Sequence, residues 1–164
     1  MGETRIEFPL SYKGGTGMKN KGFSLVELII VIAIMTILAG ALAPALIKYI
    51  NKSRLSVDID TGSEIARTIM VAVTNDNAFN AAKDHNKPIN VNDMDDPDFK
   101  KEVFQSLGKS SFKGNSKKDA QGNSLDQNFY YTLDYNRNKV QVYYGGTDAD
   151  HMVYPTLGSK LNLD

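Results

Sequence analysis

The sequence predicts an α+β fold: a long amino-terminal helix, apolar in its first half and amphipathic in its second, packed against a small antiparallel β-sheet headpiece. Three observations predict it. Residues 23–47 hold a single ionisable side chain, Glu27. Beyond them Gly62, Ile65, Ala66, Ile69, Ala72 and Val73 recur at three- and four-residue spacing. Finally, two alternating segments, 129–135 and 139–144, flank an asparagine-rich turn. At 164 residues the chain has room for one modest globular unit plus an added element.

The apolar run FSLVELIIVIAIMTILAGALAPALI is long enough to cross a bilayer. At about 1.5 Å per residue it is roughly 37 Å long as a helix, against about 30 Å of hydrocarbon. Fourteen of its 25 residues are Phe, Leu, Ile or Val. At roughly −0.3 to −0.6 kcal/mol each they outweigh one acid at about +2.5 to +3.5, the more so because Glu27 lies near the end of the run. A secretory signal peptide cut after Ala41-Leu42-Ala43 is the first rival. It is disfavoured by the length of the run and by Pro44, which would stand where the new amino terminus forms. A plain signal anchor is the second. Flanking charge does not orient the span, because Lys19 and Lys21 lie on one side and Lys48, Lys52 and Arg54 on the other.

An acid in a membrane segment is costly and by default functional, so it needs a cation. On a helix Glu27 lies one turn from Phe23. A cut between Gly22 and Phe23 would create an α-amino cation beside it, or beside the Glu27 of a neighbouring copy. Lys21-Gly22-Phe23-Ser24-Leu25-Val26-Glu27-Leu28 resembles the prepilin peptidase motif of type IV pilins and type II secretion pseudopilins: basic residue, Gly, aromatic, Ser or Thr, Leu, any residue, Glu, then an unbroken apolar stretch. The resemblance covers about the first third of the mature chain and is only architectural beyond it. It implies cleavage between Gly22 and Phe23, N-methylation of Phe23, and a role for Glu27 in setting axial register by pairing with the amino terminus of an adjacent subunit. It also implies a weak point in the helix at Gly40 and Pro44, where proline removes a backbone hydrogen bond to the Gly40 carbonyl.

The implied organisation is a leader at 18–22, a membrane and filament-core helix at 23–47, its amphipathic continuation at 48–75 and a pilin headpiece at 76–164. Residues 1–17 are read as an upstream mis-start or leader extension. Lys13-Gly14-Gly15 can be encoded by a purine-rich ribosome-binding sequence, with two codons separating it from Met18. A start at Met18 gives the short-leader class; a start at Met1 gives a long leader.

In the headpiece, Asp96 is placed as N-cap, Pro97 as first helical residue and Gly108 as terminator of a short helix whose apolar face is Phe99, Val103, Phe104 and Leu107. The acids Asp93, Asp95, Asp96 and Asp98 lack the glycine and late glutamate of a calcium loop, so they read as capping and solvation. Residues 112–128 read as a surface loop. Alternation puts Phe129, Tyr131, Leu133, Val140, Val142 and Tyr144 on one face, for packing on the helix; an aromatic platform for carbohydrate is the sharper alternative. One edge strand is expected near Met152, and the helix is expected to break near Asn75-Asp76-Asn77.

Composition bounds the function. Nineteen basic and 19 acidic residues cancel, so no nucleic-acid partner is predicted. With no cysteine there is neither disulfide nor thiol chemistry. His85 and His151, 66 residues apart, read as surface imidazoles, and no catalytic triad, carboxylate pair or phosphate loop is apparent, so no enzyme, cofactor or metal is predicted. The resemblance implies a structural subunit, of major type, of an extracellular type IV pilus that supports adhesion, twitching motility and biofilm formation. Its implied partners are other copies of the chain, a prepilin peptidase, an assembly platform protein and ATPase, and the cytoplasmic membrane before assembly; a host surface or glycan is left unspecified. A minor pilin or pseudopilin is the alternative, and a signal-anchored binding protein is the alternative of another class. The missing disulfide, with 14 asparagines and many lysines and isoleucines, points to a low-GC Gram-positive source.

Overall fold

A computed structural model of the protein describes residues 22–74, 85–134 and 139–163. Helix α1 (Leu25–Val73) is followed by β1 (His85–Asn90), a 3-10 turn at Val91–Asp93, α2 (Pro97–Ser106), β2 (Phe129–Asp134), β3 (Lys139–Tyr144), a 3-10 turn at Ala149–His151 and β4 (Met152–Tyr154). The strands form one antiparallel sheet in the order β1-β2-β3-β4. The fold is α+β, with a long helix packed against a small sheet. The chain divides into two units, Met1–Ala41 and Leu42–Asp164, and the boundary falls between Gly40 and Pro44.

In the second unit, α1 buries Leu55, Asp58, Gly62, Ile65, Ala66, Ile69, Ala72 and Val73. These positions advance by three or four residues and so form one stripe. The facing layer comes from the hairpin β2–β3, in which Phe129 opposes Tyr144, Tyr131 opposes Val142 and Leu133 opposes Val140. All six side chains are at most 3% exposed. The aromatic rings of this face are therefore core, which excludes them as a carbohydrate platform. Gly62 lets the sheet approach: a Cβ there would lie 2.8 Å from Val153 Cγ1 on β4. Tyr154 of the same strand places its hydroxyl 3.8 Å from Met70 Sδ of α1.

Helix α2 has both of its ends specified. Asp96 Oδ1 accepts from the N–H groups of Asp98 (2.9 Å) and Phe99 (3.1 Å). At the other end Gly108, at φ +62°, donates its N–H to Gln105, and Lys109 donates to Phe104. These are the two bonds of a Schellman stop.

Helix α1 ends at Val73, with a turn at Thr74; the expected break at 75–77 and the turn at 136–138 lie outside the described residues. Three features differ from the sequence reading. Strand β1 was not expected, because HNKPIN is poor in β-formers and contains a proline. It sits at the sheet edge with an irregular register between His85 and Ile89, where a missing N–H is tolerated. The segment 112–128 is irregular but does not merely cover the surface: Phe112 and Leu125 belong to the core. His151 is not a surface imidazole. It is buried, with Nδ1 2.7 Å from Asp148 Oδ1, whereas His85 is half-buried with its ring edge-on to Tyr131.

Candidate functional site at the start of the apolar helix

Gly22, Phe23 and Ser24 precede α1, and Glu27 lies in its first turn. The carbonyl of Ser24 accepts from the N–H of Leu28 at 3.2 Å, so Ser24 occupies the N-cap position. Glu27 Oε2 reaches back and accepts from the N–H of Ser24 at 2.9 Å. This is the return arm of a capping box, in which an acid three residues into the helix satisfies a backbone donor that has no partner further back in the helix. The carboxylate is thus oriented toward the chain end of the helix, on the side where Phe23 begins. A single neutral N–H does not cancel its charge.

Among the described residues Gly22 meets no other group: a Cβ built there finds nothing within 4 Å. Its backbone does not adopt the left-handed region either, so neither conformation nor packing against the described residues requires glycine at that position. Gly40 is equally open, and Pro44 lies inside α1, which runs through it unbroken. Lys19, Lys21 and Met18 lie outside the described residues.

The amino-terminal half of α1, which carries Glu27, is bare, and α1 is the one helix among the described residues long and apolar enough to cross a membrane. Fifteen large apolar side chains between Phe23 and Ile47 stand exposed, from Val31 at 41% to Phe23 at 86%. At about 1 kcal/mol or more for each one covered, transfer to lipid or to neighbouring helices is favourable by roughly 15 kcal/mol. A buried helix of a water-soluble core would show the opposite pattern.

Residues 17–43 match the family model for the prokaryotic N-terminal methylation motif. The chain carries a type IV pilin-like class III signal sequence. The motif supports a type IV pilin-like or pseudopilin-like protein and indicates a structural role. Such a class III signal implies processing by a prepilin peptidase and assembly into a pilus; with the apolar helix it indicates membrane anchoring before assembly. No curated protein and no solved structure matches the chain significantly.

Asp58 is a site residue that reading the sequence missed. It is 1% exposed on the buried stripe of α1. Its carboxylate accepts from the N–H of Asn115 (2.9 Å to each oxygen), the N–H of Ser116 (2.6 Å) and the Asn115 amide (3.1 Å). Tyr144 closes the cluster by donating its hydroxyl to the Ser116 carbonyl at 2.5 Å. Burial, with the Asp58 carboxylate nearby, pushes the Tyr144 hydroxyl well above the usual tyrosine range. The signal was present: positions 55, 58, 62 and 65 share one helical face, and an acid on that face requires donors. Its role is to clamp the 112–128 segment to the helix.

Proposed function

We propose that this protein is a fibre-forming type IV pilin of the major type, held in the membrane by residues 23–47 until it is added to a growing surface filament. The observation that carries the reading is an acid at the fifth position after Gly22, in the first turn of a helix whose apolar amino-terminal half is wholly exposed, within the matched motif. A peptidase cutting between Gly22 and Phe23 leaves an ammonium group one helical turn from Glu27. Between stacked subunits that ammonium neutralises the Glu27 carboxylate of its neighbour and so fixes the axial step. N-methylation of Phe23 keeps that charge. That nothing among the described residues crowds position 22 supports its reading as a peptidase determinant.

In this account residues 18–22 are the leader, 1–17 an upstream extension, 48–75 the spine of the headpiece, and 76–164 its body. Gly40 and Pro44 form the point where the spine yields within the fibre. Adhesion, motility and biofilm formation are the roles such a fibre would serve, with the assembly platform and its ATPase as partners. The test is the distribution of the chain in its own cells. Wild-type protein is expected to dominate the sheared surface fraction, and Glu27→Ala to be cleaved yet retained in the membrane. Scarcity of the wild-type chain in sheared fibres would assign it to a minor pilin or pseudopilin role, and normal fibre yield from Glu27→Ala would refute the register function.

A further inference from the structure

In the second unit a cavity of about 270 Å³ lies between α1, the turn at 118–122 and the carboxy-terminal segment. Lys48, Asn51 and Lys52 line it from the helix, and Lys118, Asp119 and Gln121 from the turn. Lys48 and Lys52 are one helical turn apart and share a face. Lys52 donates its ammonium to the Leu163 carbonyl at 2.5 Å. Among the described residues, Lys48 and Lys118 have no hydrogen-bonded or ionic partner for their ammonium groups.

The carboxylate in this cavity does not answer them. Asp119 Oδ1 accepts from the N–H of Asn123 at 2.7 Å and its Oδ2 from the Asn123 amide at 2.9 Å, while Gly122 and Gln121 direct backbone N–H groups at it. Burial works to raise its pKa, but these donors together hold it below the usual carboxylate range. The acid is consumed in stabilising its own turn, and among the described residues that line it the cavity keeps a surplus of positive charge beside two amide side chains.

Its position along the helix selects the ligand. Lys48 directly follows Ile47, the last residue of the apolar run, so with a rise of about 1.5 Å per residue Lys48 and Lys52 stand within roughly 8 Å of the hydrocarbon boundary. That is the level of lipid phosphates, where lysines are drawn to anionic headgroups. The volume suits a headgroup and is small for an acyl chain. We propose that this cavity holds the phosphate of an anionic phospholipid while the chain is in the membrane, with Lys48 and Lys118 as charge partners and Asn51 and Gln121 as amide donors. The inference rests on the reading of residues 23–47 as a membrane span. It makes release of that lipid part of leaving the membrane for the fibre.

The test uses the full chain in non-ionic detergent with an equal mixture of phosphatidylglycerol and phosphatidylcholine, counting retained lipids by native mass spectrometry. Wild type is expected to retain phosphatidylglycerol preferentially. Lysines near an anionic surface contribute about fivefold each, so Lys48→Gln with Lys118→Gln should lower that preference roughly 30-fold. The matching pair of arginine substitutions should preserve it, as should Lys101→Gln with Lys109→Gln, which lie outside the cavity. Undiminished preference in the Lys48→Gln, Lys118→Gln variant overturns the proposal. Displacement of the lipid by glycerol 3-phosphate at equal concentration overturns the lipid as its source. Flotation of the same proteins with neutral vesicles separates the two readings: failure to float refutes the span itself, whereas flotation without headgroup preference refutes only the cavity.

Discussion

Replacing Asp58 by alanine would leave the N–H groups of Asn115 and Ser116 and the Asn115 amide without their acceptor. Hydrogen bonds to a charged group contribute about 1.5–3 kcal/mol each, and a buried donor left unpaired costs about 1–3 kcal/mol. Removing the carboxylate also removes the cost of burying it, which offsets part of the loss. Counting the two backbone donors as decisive, Asp58→Ala should destabilise the headpiece by about 3–5 kcal/mol. For a unit of this size 1 kcal/mol moves the melting temperature by roughly 3–5 °C, so a drop of about 10–20 °C is expected. The assay is thermal unfolding of the full chain in detergent micelles, followed by near-ultraviolet circular dichroism of the tyrosines. Asp58→Asn keeps one acceptor oxygen and should fall by about half as much. Asp60→Ala, exposed two residues along the same helix, should melt within about 1 °C of the parent. If Asp58→Ala melted as Asp60→Ala does, the carboxylate would not be the clamp that joins the 112–128 segment to α1.

Gly62→Ala gains about 1 kcal/mol of helix propensity but drives Cβ to within 2.8 Å of Val153 Cγ1, so a net loss of about 1 kcal/mol is expected. In a double-mutant cycle with Val153→Ala the two losses should be less than additive by at least about 0.5 kcal/mol; strict additivity would show that α1 and β4 do not meet there. The Tyr130 hydroxyl donates to Asp126 Oδ2 at 2.5 Å, and this bond shapes both ends of the pH profile. It holds Asp126 below the ordinary carboxylate value of 3.8, so its stabilisation is present above that pH and lost as pH falls below it. The same bond, first among its causes, raises Tyr130 above 10, so the stabilisation persists up to that pH and is lost beyond it. Tyr130→Phe should therefore lower the melting temperature slightly at pH 7 and flatten both limbs; a profile parallel to wild type at both extremes would refute the coupling. Tyr144→Phe should cost about 1 kcal/mol through loss of the bond to Ser116, measured by urea unfolding, and an unchanged midpoint would remove that hydroxyl from the cluster.

Periodicity made the second half of the long helix legible, and the alternation of 129–135 and 139–144 made the central hairpin legible, because each turns its most apolar face to the shared core. The short helix announced itself through Asp96, Pro97 and Gly108, whose side chains or conformational freedom act locally. What escaped is held by contacts distant in sequence. Strand β1 forms by pairing with β2 and not by its own propensity, since Pro88 and two asparagines weaken it. Phe112 and Leu125 are buried within a polar segment that Asp58 clamps through Asn115, 57 residues later. His151 looked like any exposed imidazole until Asp148, three residues before it, was seen to bring its own carboxylate to the ring. The chemistry at the amino-terminal end was readable because it is written in eight consecutive residues, whereas the lysine-lined cavity joins residues 48–55, 118–122 and 163 and has no local signature.

The processing of the amino terminus tests the central claim most directly. Protein sheared from whole cells should begin at Phe23 and carry one N-terminal methyl group, as read by N-terminal sequencing and mass spectrometry of the N-terminal peptide. A sheared chain that begins at Met18, or at Pro44 after cleavage at the Ala41-Leu42-Ala43 site, would contradict the account.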